Sequence, residues 1–106
     1  MPIDALDIAY IAIGARQALA DSSAGHSAIS GFEGELDYVQ ACIDQASLLH
    51  RVWQEVEGTF PGVWCYEVAE PFGYAFGKHL QLGGYLVDAE LILRDILVGS
   101  MTSAVP

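Results

Sequence analysis

Hydrophobic residues recur every three or four positions through most of the chain, a period typical of helices. The clearest row runs through the second quarter and consists of Val39, Cys42, Ile43, Ala46, Leu49, Trp53, Val56 and Phe60. Polar residues occupy the other angles of the same segment, so we predict a long helix from Glu33 or Glu35 to Glu57. Cys42 falls inside the row and is predicted to be a buried core residue.

The first segment predicts a second amphipathic helix, from Ile3 to Ala20, opened by Pro2. At 100° per residue, one side of this helix carries Ala5, Ile8, Ala9, Ala12, Arg16 and Leu19. The other side carries Asp4, Asp7, Gly14, Gln17 and Asp21. The alanine-rich side is predicted to be buried, with a neighbouring helix packed at short distance. Arg16 interrupts that side, and either extends to water or pairs with an acid in a cleft.

Aromatic residues concentrate in one stretch, because 7 of the 11 in the chain lie between Phe60 and Tyr85. Residues 63–69 fit either a helix or a strand, and we favour a helix because no other segment offers a partner strand. Pro71 cannot donate a backbone hydrogen bond and disfavours helical geometry at Glu70. We therefore predict a third helix that is broken at Pro71 and that ends at Gly83 and Gly84.

The last helix is predicted from Tyr85 to Val98, with Gly99 as its cap. Nearly all of its circumference is apolar, which is typical of a helix buried on every side. A small bundle cannot surround one of its own helices completely, so this helix is the candidate subunit interface. The interface residues that we predict are Leu86, Leu91, Ile92 and Asp95.

These segments predict one all-α domain spanning residues 1–106, a compact four-helix bundle that forms a homodimer. The composition supports a dimer, since 53% of residues are hydrophobic and only 17% are charged. That leaves little polar surface for a monomer of this size.

Charge narrows the possible partners. The net charge is -10, from 14 acidic and 4 basic residues, which argues against direct binding of nucleic acids or anionic membranes. The apolar runs are too short to span a bilayer. With two cysteines and no recognisable export signal, we expect a cytoplasmic protein with free thiols.

Several residue groups could carry chemistry. The aromatic stretch is either core or the lining of a pocket, in which case the ligand-binding residues would be Trp64, Tyr66, Glu67, Glu70, Tyr74, Phe76 and His79. The carboxylates of Glu67 and Glu70, with Asp88, Glu90 and Asp95 on the last helix, could hold Mg²⁺. A thiol of Cys42 or Cys65 could act with His50 or His79. Zinc-ligand spacing is missing.

None of these groups has a spacing that specifies a reaction, so we predict no catalytic residue, metal site or cofactor. The predicted function is that of a small acidic accessory or regulatory protein that acts by binding another, unknown protein. Two alternatives stay open. One is a small-ligand-binding protein or Mg²⁺-dependent enzyme using a cleft around residues 64–82, and the other is an acidic mimic of nucleic acid that occupies a nucleic-acid-binding protein.

Overall fold

Four α-helices account for most of the described chain, and the all-α prediction is confirmed. The computed structural model describes residues 3–22, 32–56, 64–84 and 86–103. The helices are α1 (Ala5–Ala20), α2 (Glu35–Val56), α3 (Tyr66–Gln81) and α4 (Ala89–Ser103), with a short 3₁₀-helix at Leu86–Asp88. Helix α3 lies at the centre, packed along α1 and also touching α2 and α4. None of the described helices is both long and apolar enough to cross a membrane.

Helices α1 and α3 cross so closely that their backbones touch, and two glycines make this possible. A Cβ atom at Gly14 would overlap the carbonyl oxygen of Glu70 and lie 2.7 Å from the backbone nitrogen of Tyr74. On α3, a Cβ atom at Gly73 would overlap the carbonyl oxygen of Ile11. Side chains of any size would hold the helices further apart, so these glycines set the crossing distance.

The crossing buries a different side of α1 from the one that we predicted. The buried residues of α1 are Asp7, Ile11, Ala12, Gly14, Ala15, Ala18 and Leu19. Ala5, Ala9 and Arg16 are exposed, so the predicted side is wrong except for Ala12 and Leu19. The helix is apolar around most of its circumference, and the choice of side follows residue size, because only the side with Gly14 admits the backbone of α3.

Helix α2 matches its prediction in both bounds and packing. Val39, Cys42 and Ala46 are buried, and Ile43 and Leu49 pack against the core. The side chains of Trp53 and Val56, and all of Phe60, lie outside the described part of the chain.

The predicted break at Pro71 is not seen, because α3 continues through that residue from Tyr66 to Gln81. Pro71 leaves the carbonyl of Glu67 without the helical N–H that residue 71 would otherwise donate. Both Glu67 and Pro71 are exposed, so the unpaired carbonyl lies on the solvent side, where water can satisfy it. Only about one helical turn precedes the proline, and the helix continues past it with that one backbone hydrogen bond missing.

The end of α3 follows the predicted glycine signal. Gly83 adopts a positive φ of 80°, and the Gly83 and Gly84 amides donate to the carbonyls of Leu80 and His79 at 3.1 and 2.9 Å. This is the Schellman arrangement. Gly99, by contrast, does not cap α4, which continues to Ser103. A glycine inside a helix costs only about 1 kcal/mol, so neighbouring residues can carry the helix past it.

Candidate functional site

The aromatic stretch divides into a buried part and an exposed part. Trp64, Phe72 and Phe76 belong to the core. The rings of Trp64 and Phe72 meet edge to face with centroids 5.1 Å apart, and Phe72 stacks on Phe76 at 5.5 Å. These three rings fill the space between the helices, so this half of the stretch acts as core.

The exposed part lines an open groove of about 550 Å³ beside the crossing of α1 and α3. Its lining is mostly apolar and consists of Gly14, Gln17, Tyr66, Glu67, Glu70, Pro71, Tyr74, Ala75 and Ile96. Most of this lining belongs to α3. Helix α1 adds Gly14 and Gln17, and α4 adds Ile96. The groove is centred on Glu70 and Pro71, on the solvent side of α3.

Local sequence explains why a groove forms here. Gly14 and Ala75 have little or no side chain, and Pro71 presents a flat ring without an N–H group. Because α1 and α3 are in backbone contact at Gly14, the floor of the groove lies deep between the larger side chains of Tyr66 and Tyr74.

Hydrogen bonds hold both tyrosine side chains of the groove. The Tyr66 hydroxyl donates to Oε1 of Glu67 at 3.1 Å, and the Tyr74 hydroxyl donates to Oδ2 of Asp21 at 3.0 Å. Gln17 Nε2 donates to the other Asp21 oxygen at 3.0 Å. The hydrogen bond to Glu67 raises the pKa of Tyr66, and that to Asp21 raises the pKa of Tyr74. Both phenols therefore stay neutral, and each side chain lines the groove with an apolar ring that ends in a polar hydroxyl.

The electrostatic character of the groove is acidic. Its lining carries the carboxylates of Glu67 and Glu70 and no lysine or arginine. A positive charge lies beside one wall, because Nζ of Lys78, one helical turn beyond Tyr74, lies 5.7 Å from the centroid of the Tyr74 ring. A bound group would thus meet aromatic faces and negative charge together.

Four of the seven predicted ligand-binding residues line this groove, namely Tyr66, Glu67, Glu70 and Tyr74. The other three are placed elsewhere. Trp64 and Phe76 lie in the core, and the His79 ring is placed against Gly84, with Nε2 3.0 Å from Asp88 Oδ2. His79 therefore joins the end of α3 to the segment before α4 and is not part of the groove lining.

Sequence reasoning did not single out the remaining lining residues Gln17, Ala75 and Ile96 as site residues, and placed Gly14 on the exposed side of α1. A glycine within an alanine-rich helix is a signal for close approach and could have identified Gly14. The other three carry no such signal, because they reach the groove only through the packing of three separate helices.

The described residues do not form the other predicted chemical groups. No cluster of three or more His, Cys, Asp or Glu side chains in residues 3–22, 32–56, 64–84 and 86–103 could hold a metal ion. Glu90 accepts a hydrogen bond from Arg94 at 2.9 Å, and Asp88 pairs with His79. Burial raises the pKa of the Cys42 thiol to about 12, which keeps it protonated and unreactive. Cys65 is a free, exposed thiol.

Helix α4 and the 3₁₀-helix before it present a second candidate surface. Of the predicted interface residues, Leu91 and Asp95 are exposed, while Ile92 packs partly against the core. The side chain of Leu86 lies outside the described part of the chain. Val87 and Val98, which were not predicted, are also exposed. The outward surface is therefore Val87, Leu91 and Val98, which we call the α4 outer face.

The chain matches no family model, no curated protein and no solved structure. The geometry of the groove and of the α4 outer face is what indicates a function.

Proposed function

We propose that the protein is a small acidic interaction module without chemistry of its own, and that it works as a homodimer joined through the α4 outer face. The observation that carries the proposal is the exposure of Val87, Leu91 and Val98, at 81%, 62% and 61%. A row of aliphatic side chains in water is typical of a surface that another protein covers.

The row lies on the opposite side of the helix from the residues that pack internally. Leu91 precedes Val98 by seven residues, so the two lie within about 20° of each other around α4, and Val87 lies in the 3₁₀-helix just before α4. Ala89 and Leu93, each 1% exposed, mark the inward side. The segment therefore has two apolar sides, one of which packs internally.

The occupant that fits this row is a second copy of the same chain. If two copies pack antiparallel about a two-fold axis, Val87 faces Val98 of the second copy and Leu91 faces Arg94 of the second copy. The stem of Arg94 can cover Leu91, and its guanidinium, already 2.9 Å from Glu90, would also approach the acids of the second copy. The same patch is thus complementary to itself, as a two-fold contact requires.

The expected dimer is weak and leaves the groove free. Three aliphatic residues per copy make a contact smaller than the roughly 800 Å² per partner of a standard interface. We expect a dissociation constant on the order of 10 to 100 μM. Ile96 reaches the groove from the inward side of α4, so dimerisation does not cover it.

Sedimentation equilibrium over a series from micromolar to millimolar protein tests the proposal. The wild type should pass from monomer to dimer, and Leu91→Asp should remain monomeric because it places a charge in the contact. Leu36→Asp is the matched control, since Leu36 is a leucine at the start of α2 that is even more exposed than Leu91, at 77%. A wild type that is monomeric throughout, or a Leu91→Asp variant that dimerises as well as the control, would refute it.

A further inference from the structure

We propose that the groove beside the α1–α3 crossing binds a segment of a partner protein that carries aliphatic side chains together with lysine or arginine. This inference rests on the proposed function in one respect, that the protein acts by binding other proteins. It concerns a surface that the dimer leaves open, so the two can be tested separately.

An elongated apolar surface favours a polypeptide segment as the occupant. The ring of Tyr10 lies 6.0 Å from that of Tyr66, which connects the groove to the outer side of α1. Leu6 and Ile13, 64% and 46% exposed, flank Tyr10 at spacings of four and three residues. The apolar surface therefore extends beyond the groove along α1 for about two helical turns, which favours a polypeptide segment over a compact small ligand.

Charge complementarity identifies the polar part of the partner. Glu67 and Glu70 lie three residues apart on α3, so they occupy one side of the helix and line the same groove. Asp21 accepts a hydrogen bond from the hydroxyl of Tyr74, another lining residue, and so adds a carboxylate at that wall of the groove. An acidic segment would be repelled here, whereas lysine or arginine beside the aliphatic contacts would pair with these carboxylates.

The groove is already formed in the free protein, which reduces the entropy lost on binding. Its floor is fixed by backbone contact at Gly14, and its tyrosine walls are fixed by hydrogen bonds to Glu67 and Asp21. Because Pro71 has no N–H, the carbonyl of Glu67 lacks its usual helical donor on this side. A donor group on the bound segment can use that oxygen.

The probe is a designed amphipathic peptide with leucine and lysine at helical spacing. Its control is the same peptide with each lysine replaced by glutamate. Fluorescence anisotropy gives the affinity, and amide chemical shifts in ¹⁵N-labelled protein locate the contact. We expect the leucine–lysine peptide to bind and to shift Tyr66, Glu70, Tyr74 and Ala75. The leucine–glutamate peptide should not bind.

Paired charge variants separate the groove from general attraction to an acidic protein. Glu67→Gln with Glu70→Gln should weaken binding about tenfold, as expected for the loss of two partly screened ion pairs. Asp37→Asn with Asp44→Asn removes the same two charges from the exposed side of α2 and should change the affinity less than about twofold, since those charges are screened by distance. Ala75→Trp, which fills the groove from a half-exposed position, should abolish the shifts while thermal unfolding shows a folded protein.

Three results would overturn the proposal. Equal weakening by both double variants would show that only net charge matters, and shifts confined to Val87, Leu91 and Val98 would place the contact on α4. Binding of phenethylamine as tight as that of the peptide would make the groove a small-molecule site. Leu91→Asp must still bind the peptide, so loss of the dimer and loss of groove binding give different outcomes.

Discussion

The two sides of α3 use similar residues for different purposes. On the inner side, Phe72 and Phe76 stack in the core, and Gly73 between them touches the backbone of α1. On the outer side, Tyr66 and Tyr74 stand at the edge of an open groove with their hydroxyls bonded to carboxylates. Within this helix, the aromatic residues without a polar atom are buried and those with a hydroxyl face solvent. Aromatic density alone therefore marks neither a core nor a site, and along α3 it is the hydroxyl group that distinguishes the two sides.

Truncating one ring on each side should show the largest difference. Phe76 is fully buried, so Phe76→Ala should lower the free energy of unfolding by about 3 to 5 kcal/mol through lost burial and a cavity. Tyr66 is 59% exposed, and Tyr66→Ala should cost less than about 1 kcal/mol. Urea unfolding followed by circular dichroism measures both values. Similar losses for the two variants would mean that the outer side contributes to the core.

The backbone contact should give the next largest effect. Gly73→Ala places a methyl group on the carbonyl oxygen of Ile11, so α1 and α3 must separate, at a cost of about 3 kcal/mol. Gly99→Ala on α4 is the matched control, because a Cβ atom there has nothing within 4 Å. The control should be neutral or stabilising by up to about 1 kcal/mol, since alanine favours helix. If Gly73→Ala were as mild as the control, the crossing would not depend on the glycine.

The same crossing explains which parts of the fold the sequence could predict. Helix α2 was predictable in bounds and buried side, because its polar and apolar residues separate clearly around the axis. The buried side of α1 was not, because a helix that is apolar nearly all round gives no such separation. Its orientation depends on Gly14 meeting the backbone of Glu70 and on Gly73 meeting the backbone of Ile11, and no local pattern records contacts between residues so far apart in the sequence.

The groove was predictable only in its position along α3. The combination of Tyr66, Glu67, Glu70 and Tyr74 near Pro71 indicated a site on that segment, and these four residues do share one groove. His79, Trp64 and Phe76 were included because they are close in sequence, and the helical turn carries them to other sides. The expected break at Pro71 failed because the lost hydrogen bond falls at the solvent side, where water replaces it.

At high pH, the free energy of unfolding should depend on the Cys42 thiol. Cys42 faces the core, where burial raises the pKa of its thiol from 9.0 to about 12. The folded state therefore holds the proton more tightly than the unfolded state, and its contribution is complete below pH 9 and is lost as pH rises from 9 toward 12. At pH near 10 the expected loss is on the order of 1 kcal/mol. Tyr38, whose pKa burial raises to about 12, adds a smaller loss above its ordinary value of 10.0.

Cysteine variants test this assignment. Cys42→Ala should reduce the decrease in unfolding free energy between neutral pH and pH near 10 by roughly 1 kcal/mol, whatever its effect at neutral pH. Cys65→Ala is the matched control, because it removes a thiol that is exposed and lies outside the core. Urea unfolding at the two pH values gives the differences. If Cys42→Ala shows the same decrease in the free energy of unfolding as the wild type, the Cys42 thiol is not protected by burial in the core.

The finest test concerns Tyr38, the one tyrosine among the described residues that is fully buried against that inner side. Its hydroxyl accepts a hydrogen bond from Gln81 Nε2 at 3.1 Å and occupies the space beside Gly77. Tyr38→Phe should cost about 1 kcal/mol for the lost bond. Gly77→Ala alone should be more costly, because its methyl group would overlap the hydroxyl.

In the double variant the hydroxyl is gone, leaving the ring carbon Cζ of residue 38 at 3.2 Å and Ala18 Cβ at 3.1 Å as the nearest atoms. The pair should therefore be more stable than the sum of the single variants predicts, by about 1 kcal/mol, as measured by a double-mutant cycle in urea. Additive losses would mean that the backbone near Gly77 adjusts by itself, and that a buried hydroxyl on the inner side of α3 does not limit how closely α2 and α3 pack.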